Sequence, residues 1–363
     1  MIVATAFVLM MTIPGLALFY AGMVRKKNVL ATLAQSLVAT GICSLLWFAV
    51  AYSLAFSGDA PIIGTLDRIF LKGIGMETAH PAATTIPEIL FMMYQMTFAI
   101  ITVALVAGSV ADRMRIGAFA WFAAGWLLLV YVPLAHWVWG GGFLGQAGVL
   151  DFAGGLVVHL NAGVAGLVAA YVVGARRGYG SDNMAPFDLS LAVIGTGMLW
   201  VGWFGFNGGS ALGAGSRASF AIVTTHLAAC AGALTWMVLE WNSRGKPSVL
   251  GIISGAVAGL VAITPASGFV GPIASIIIGA LAGVVCYTAC NLKSKLGYDD
   301  SLDVVGVHGI GGTWGAIATG LFASKAINEA GADGLFAGNP GLLMSQILAV
   351  AATWVFAFGG SLI

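Results

Sequence analysis

The chain has 363 residues, of which 60% are hydrophobic and only 8% charged, with a formal net charge of +1. A soluble domain carries roughly 25% charged residues, so this composition excludes a chain solvated by water alone, and the balanced charge gives no reason to expect nucleic acid. Glycine, at 52 residues, is near twice its usual share of about 7%; beside long apolar runs it reads as tightly packed membrane helices, whose backbones approach through small residues.

A helix needs about 20 apolar residues to cross a hydrocarbon core of roughly 30 Å. In chain order, uncharged runs of that size lie at 2–24, 30–56, 89–111, 116–139, 152–175, 189–216, 218–239, 304–324 and 335–363. The first is too long for a signal-peptide core and lacks a small-residue cleavage site, so it reads as a retained helix. One further run, 247–292, is twice as long and is split by Thr264-Pro265-Ala266-Ser267-Gly268, a Pro/Gly break that divides it into two spans. The expected fold is an all-α polytopic membrane protein of eleven transmembrane helices. With the N-terminus outside, the inner connections hold 11 basic residues, from Arg25 to Lys295, and the outer ones hold Arg68, Lys72, Arg217 and Lys325. The positive-inside rule selects that orientation.

Two segments share a spacing. Asp151 precedes His159 by eight residues, with Gly163 and Gly166 following; Asp300 precedes His308 by eight, with Gly312 and Gly315 following. Both read D-x7-H-x3-G-x2-G, in helices five and ten. An odd separation of five helices makes the copies antiparallel, the mark of an inverted-topology repeat with its site near the midplane. The halves are 1–175 and 188–324, followed by a last helix at 335–363. Eight residues of helix rise about 12 Å, against roughly 15 Å for half a hydrocarbon core, so both histidines reach the centre from opposite sides.

An ionisable side chain inside a span is costly and marks a functional site by default. The symmetry of His159 and His308 strengthens that reading over two unrelated core histidines. Bis-histidine haem ligation is the rival arrangement, and it needs a wider cavity than this glycine-dense neighbourhood offers. His136, His226 and His80 read as structural. Asp151 opens a helix and reads equally as an N-cap and as a cation ligand. Asp300 and Asp303 read as caps of helix ten. All four cysteines fall in apolar runs, which argues against disulfides, and Cys286 with Cys290 reads as packing rather than a metal pair. The aromatics near the outer ends, among them Tyr131, Trp137, Trp139, Trp200, Trp203 and Phe206, fit an interfacial belt. Gly140-Gly141-Gly142 after Trp139 suggests irregular backbone beside a placed ring. No nucleophile pairs with the histidines and no phosphate loop is present, so no enzyme, cofactor or metal is expected.

Ile13-Pro14-Gly15, Phe19-Tyr20-Ala21-Gly22, Asp151-Phe152-Ala153-Gly154-Gly155 with His159-Leu160-Asn161, Gly202-Trp203-Phe204-Gly205-Phe206-Asn207 and Gly306-Val307-His308-Gly309 run in order along essentially the whole chain. Together they resemble the ammonium transporter (Amt/Mep/Rh) family, its bacterial and archaeal members more than the Rh proteins. The resemblance implies a homotrimer in the cell (inner or plasma) membrane, with one pore per subunit. It also implies an outer recruitment site of Trp139, Phe98 and Ser210, a gate of Phe98 and Phe206, and a lumen lined by His159 and His308, with Asp151 and Trp203 in support. Tyr94 is Phe in a well-studied relative, and its hydroxyl is expected to add a polar contact at the vestibule. The expected function is transport of ammonium, which loses its proton near the gate and crosses as ammonia, with or without a separate proton; methylammonium enters as an analogue. The chain stops inside the eleventh run, where family members usually continue into a tail that in bacteria meets a PII-type signalling protein, so a truncation is expected. Some relatives continue into signalling modules instead. An ammonium sensor with this membrane core fused to such a module is the alternative reading.

Overall fold

The computed structural model describes residues 1–363. Where no water is present, an apolar run satisfies its own backbone N–H and C=O groups only as a helix, and the chain folds accordingly. The helices are α1 (Ile2–Met23), α2 (Lys26–Phe56), α3 (Glu88–Val106), α4 (Ile116–Gln146), α5 (Gly155–Val173), α6 (Leu189–Gly208), α7 (Ser216–Arg244), α8 (Val249–Ile263), α9 (Pro272–Leu296), α10 (305–322) and α11 (Pro340–Leu362). Nine of them are long and apolar enough to cross a membrane; α8, with 15 residues, and α10 fall outside that group. The break between α8 and α9 falls at the Thr264-Pro265 segment, as expected. One small hairpin, β1 (Ala79–His80) with β2 (Ala83–Pro87), sits between α2 and α3.

Polarity is inverted relative to a soluble bundle. Thr97, Thr102, Asn161, Asn207, His159 and His308 are buried, while Leu30, Leu45, Trp121, Leu129, Ile273 and Leu348 face outward, as a surface solvated by lipid requires. The most apolar stretches of α3 and α5 are 83% and 78% buried, against at most 50% in the other long helices. The helices α3 and α5 therefore lie at the centre of the bundle.

Glycine sets several close crossings, two of them between corresponding helices of the repeat read from the sequence. Where α1 packs on α6, a Cβ on Gly195 would lie 2.3 Å from the Phe19 amide nitrogen. Where α5 packs on α10, a Cβ on Gly163 would lie 2.2 Å from Gly309 Cα, and one on Gly312 would lie 2.7 Å from the Leu160 amide nitrogen. Only hydrogen fits at such contacts, which is how helices associate closely in lipid. Gly163 and Gly312 are the first glycines of the repeated motif, so the spacing that follows each histidine is what lets the two histidine helices touch. Both helices open with a widened turn, Gly155–Leu160 and Val305–Ile310, of a kind found at functional sites.

Candidate pore

Asp151 builds the entrance to α5. Its Oδ1 accepts from the amides of Gly154 (2.9 Å) and Gly155 (2.6 Å), and its Oδ2 from those of Leu156 (2.9 Å) and Val157 (3.2 Å). The amides that a helix start leaves orphaned are thereby satisfied, and the carboxylate sits at the positive end of the helix dipole. This geometry fits the cap reading of Asp151. Its backbone oxygen accepts from Trp139 Nε1 at 2.8 Å, so the cap also fixes the indole. Beyond Trp139 the backbone leaves the helix, with Gly141 at φ +90°, as the triple glycine suggested.

Trp139 borders a cavity of about 330 Å³, shared with Tyr94, Gln95, Phe98, Asp151 and Ser210 and lying on the outer side in the orientation expected from the sequence. At its floor Phe98 stacks on Phe206, with ring centroids 4.1 Å apart and planes at 17°, and Trp139 meets Phe98 edge to face at 5.9 Å. Ser210 Oγ donates to the Phe206 carbonyl at 2.9 Å, which leaves its lone pairs for a donor in the cavity. The Tyr94 hydroxyl stands at the edge of this cavity and bonds mainly to the chain itself. It donates to the carbonyls of Phe206 (2.7 Å) and Gly205 (3.0 Å) and stands 3.3 Å from Ser210 Oγ. The cause is local: at the wide turn Phe204–Gly208 the Ser210 amide goes to Asn207 rather than Phe206, and the buried phenol takes the Phe206 carbonyl while sharing that of Gly205 with the Gly209 amide. Gln95 was missed in the sequence; its Oε1 is buried without a partner, and a lone amide in an uncharged run is the signal that marks it.

Below the stacked rings, His159 Nδ1 and His308 Nδ1 lie 3.2 Å apart, with ring centroids at 5.2 Å. One must donate and the other accept, so their tautomers are tied. Both rings are buried, at 1% and 4% exposure. His159 packs on Trp203 at 5.3 Å and leaves Nε2 without a partner. Trp203 Nε1 donates to Thr264 Oγ1 at 2.8 Å, a role for the Thr-Pro break beyond ending a helix. His308 lines another cavity of about 220 Å³, with Tyr20, Arg176, Lys293 and Asp303, at the opposite end of the histidine pair. The other histidines hold protein atoms. His136 faces the carbonyls of Ala55 and Ala60, His80 bridges Phe56 and Ala82, and His226 accepts from Trp200. Asp300 caps α10 through the Val305 amide at 2.7 Å, whereas Asp303 pairs with Lys293 at 2.6 Å.

The chain matches the Ammonium Transporter Family over residues 1–363. It is 54% identical over 346 residues to an ammonium transporter of Bacillus subtilis, covering 95% of this chain and 85% of that protein. The chain belongs to the ammonium transporter family. This family member is also 46% identical over 358 residues to ammonium transporter Amt1 of Archaeoglobus fulgidus, with 98% and 88% covered. The crystal structure of Saccharomyces cerevisiae Mep2 aligns with a TM-score of 0.93 at 39% identity, over 99% of this chain and 85% of that one. A sensor Amt protein aligns at 0.90 and 30%, over 99% and 90%. The family member is thus an all-α, multi-pass membrane protein of a transporter family, and not an enzyme.

Proposed function

We propose that this chain transports ammonium across the cell membrane by loading it in the outer cavity, where near Phe98 and Phe206 it gives up a proton to water of that cavity or to the His159–His308 pair, and passing ammonia along His159 and His308. One observation carries the reading: the outer cavity ends on Phe98 and the inner one on His308, with Phe206 and His159 packed between. Ammonium and potassium share charge and similar size. Aromatic faces hold a cation by about 0.5–2 kcal/mol, and Ser210 accepts a hydrogen bond that only ammonium can give. An intact ion would pay heavily to enter the apolar stretch beneath, so the neutral form crosses. The paired rings, which can each donate and accept, guide ammonia or relay the proton. Relatives named as transporters at 42–54% identity favour transport over sensing, which one neighbour at 30% represents.

Eleven spans with the N-terminus outside form part of the reading. Arg25 after α1, Arg113 after α3, Arg176 after α5 and Asp299 after α9 meet in one charge cluster. Gln346 of α11 instead bonds Leu150, before α5. Both groupings follow if every helix, α8 and α10 included, crosses. Family membership carries the homotrimer, the PII-type partner and methylammonium as an analogue substrate. The test is the current on a solid-supported membrane after an ammonium jump. A sustained, saturating current absent with potassium is expected, altered in flux or selectivity by His159→Leu and His308→Leu. Two variants with unchanged flux and selectivity would sink the histidine role.

A further inference from the structure

A second cavity opens on the outer face beside the first. It encloses about 730 Å³, and Asp59, Asp67, Arg68, His80 and Glu88 are among its lining residues. Phe56, Ala82 and Trp139 border both cavities, so the indole that walls the aromatic vestibule walls this chamber too. The charges are three carboxylates against one guanidinium. His80 adds none, because its Nδ1 accepts from the Ala82 amide (3.1 Å) while Nε2 meets the Phe56 carbonyl (2.8 Å).

Glu88 is the decisive residue. It opens α3, three turns above Phe98 on the same helix, and is 1% exposed. Its Oε1 accepts from Tyr52 at 3.0 Å. Its Oε2 has no hydrogen-bond partner; the nearest cation, Arg68 Nη2, stands 3.7 Å away, beyond hydrogen-bond reach. A buried carboxylate oxygen left without a hydrogen bond is costly, and ammonium in the chamber would supply one.

We propose that this chamber is a cation-collecting site that holds ammonium by charge, with Glu88 at its floor and Asp59 and Asp67 at its rim, and hands it past Trp139 to the aromatic vestibule. The proposal rests on the transport reading for its substrate. Its chemistry differs from that of the vestibule: carboxylates attract any small monovalent cation, so the chamber concentrates and the aromatic site selects. Potassium therefore competes in the chamber although it does not cross.

The half-saturating ammonium concentration for current through the full chain in a lipid membrane tests this. At low ionic strength Asp59→Asn with Asp67→Asn raises it by about three- to tenfold, within the range that focused surface charge produces. Potassium chloride raises the wild-type value more than N-methylglucamine chloride at equal ionic strength, since only the small cation enters. The double variant and Glu88→Gln lose that difference. A double variant with the wild-type value at low ionic strength, or equal effects of the two salts on wild type, overturns the proposal. Wild-type protein with no saturable ammonium current would defeat the transport reading instead. Anomalous density for thallous ion at Glu88 in wild-type crystals then decides the chamber alone: a peak sustains it and an empty site removes it.

Discussion

Tyr94 is turned by the backbone it meets. Four residues before Phe98, it shares a helix face with the gate ring, yet its hydroxyl spends itself on the Phe206 and Gly205 carbonyls. It thereby holds the turn that carries both Phe206 and Ser210. A neutral hydrogen bond contributes about 0.5–1.5 kcal/mol net, which corresponds to roughly two- to tenfold in an equilibrium constant. Tyr94→Phe should raise the half-saturating ammonium concentration by that factor; a titration superimposable on wild type would show that Phe206 needs no such support. The direction of this hydroxyl was hidden in the sequence because it depends on a widened turn in another helix. Glu88 was hidden for a similar reason. At the start of a run it reads as an ordinary first-turn acid, and only the 57–87 connection folded over it creates its burial. Asp151, His159 and His308 were legible because a helix converts their spacing directly into depth.

Among the helices, glycine position decides which contacts tolerate change. Gly163→Ala places a methyl against the Gly309 backbone, which cannot yield as a side chain would, so α5 and α10 must part. Overpacking of this kind costs about 1–3 kcal/mol, and it separates the histidines that the contact brings together. A Cβ added at Gly41 in α2 would meet nothing within 4 Å, and there alanine gains about 0.5–1 kcal/mol of helix preference over glycine. Gly163→Ala should therefore lower both thermal stability and ammonium current while Gly41→Ala lowers neither; equal behaviour of the two would refute the packing argument. The contacts of α1 with α6 and of α5 with α10 are those that a two-fold axis between the halves 1–175 and 188–324 would create, which supports the inverted repeat that we propose. Helix positions and the Thr-Pro break were readable from hydropathy and proline. The six widened turns, in α1, α2, α4, α5, α6 and α10, were not, since they answer to packing and have no periodicity of their own.

Across the whole molecule, the basic residues that suggested orientation also tie the connection between α9 and α10 to the segments that follow α1, α3 and α5. Arg25 pairs with Asp112 at 2.8 Å, Arg176 with Asp299 at 2.7 Å and Arg113 with Asp299 at 3.2 Å, and Arg176 stands 3.9 Å from Asp112. The Asp299 side chain is fully shielded and the two arginines that share it are nearly so. Burial alone would raise the Asp299 carboxyl, but hydrogen bonds and charge from Arg176, with the charge of Arg113, hold it below the ordinary aspartate value of 3.8. A carboxyl lowered on folding stabilises the protein at neutral pH, and that contribution drains as pH falls below 3.8 towards the lowered value. Asp299→Asn leaves two buried guanidinium groups short of a partner, a loss of about 3–5 kcal/mol when one member of a buried pair is removed. Thermal unfolding in detergent from neutral to acid pH should show the variant well below wild type at pH 7, with the two curves converging in acid as wild-type Asp299 takes up its proton. Curves that stay parallel into the acid range would mean that the charge of Asp299 does not clamp the connection between α9 and α10 to Arg113 and Arg176, and that the cluster records orientation only.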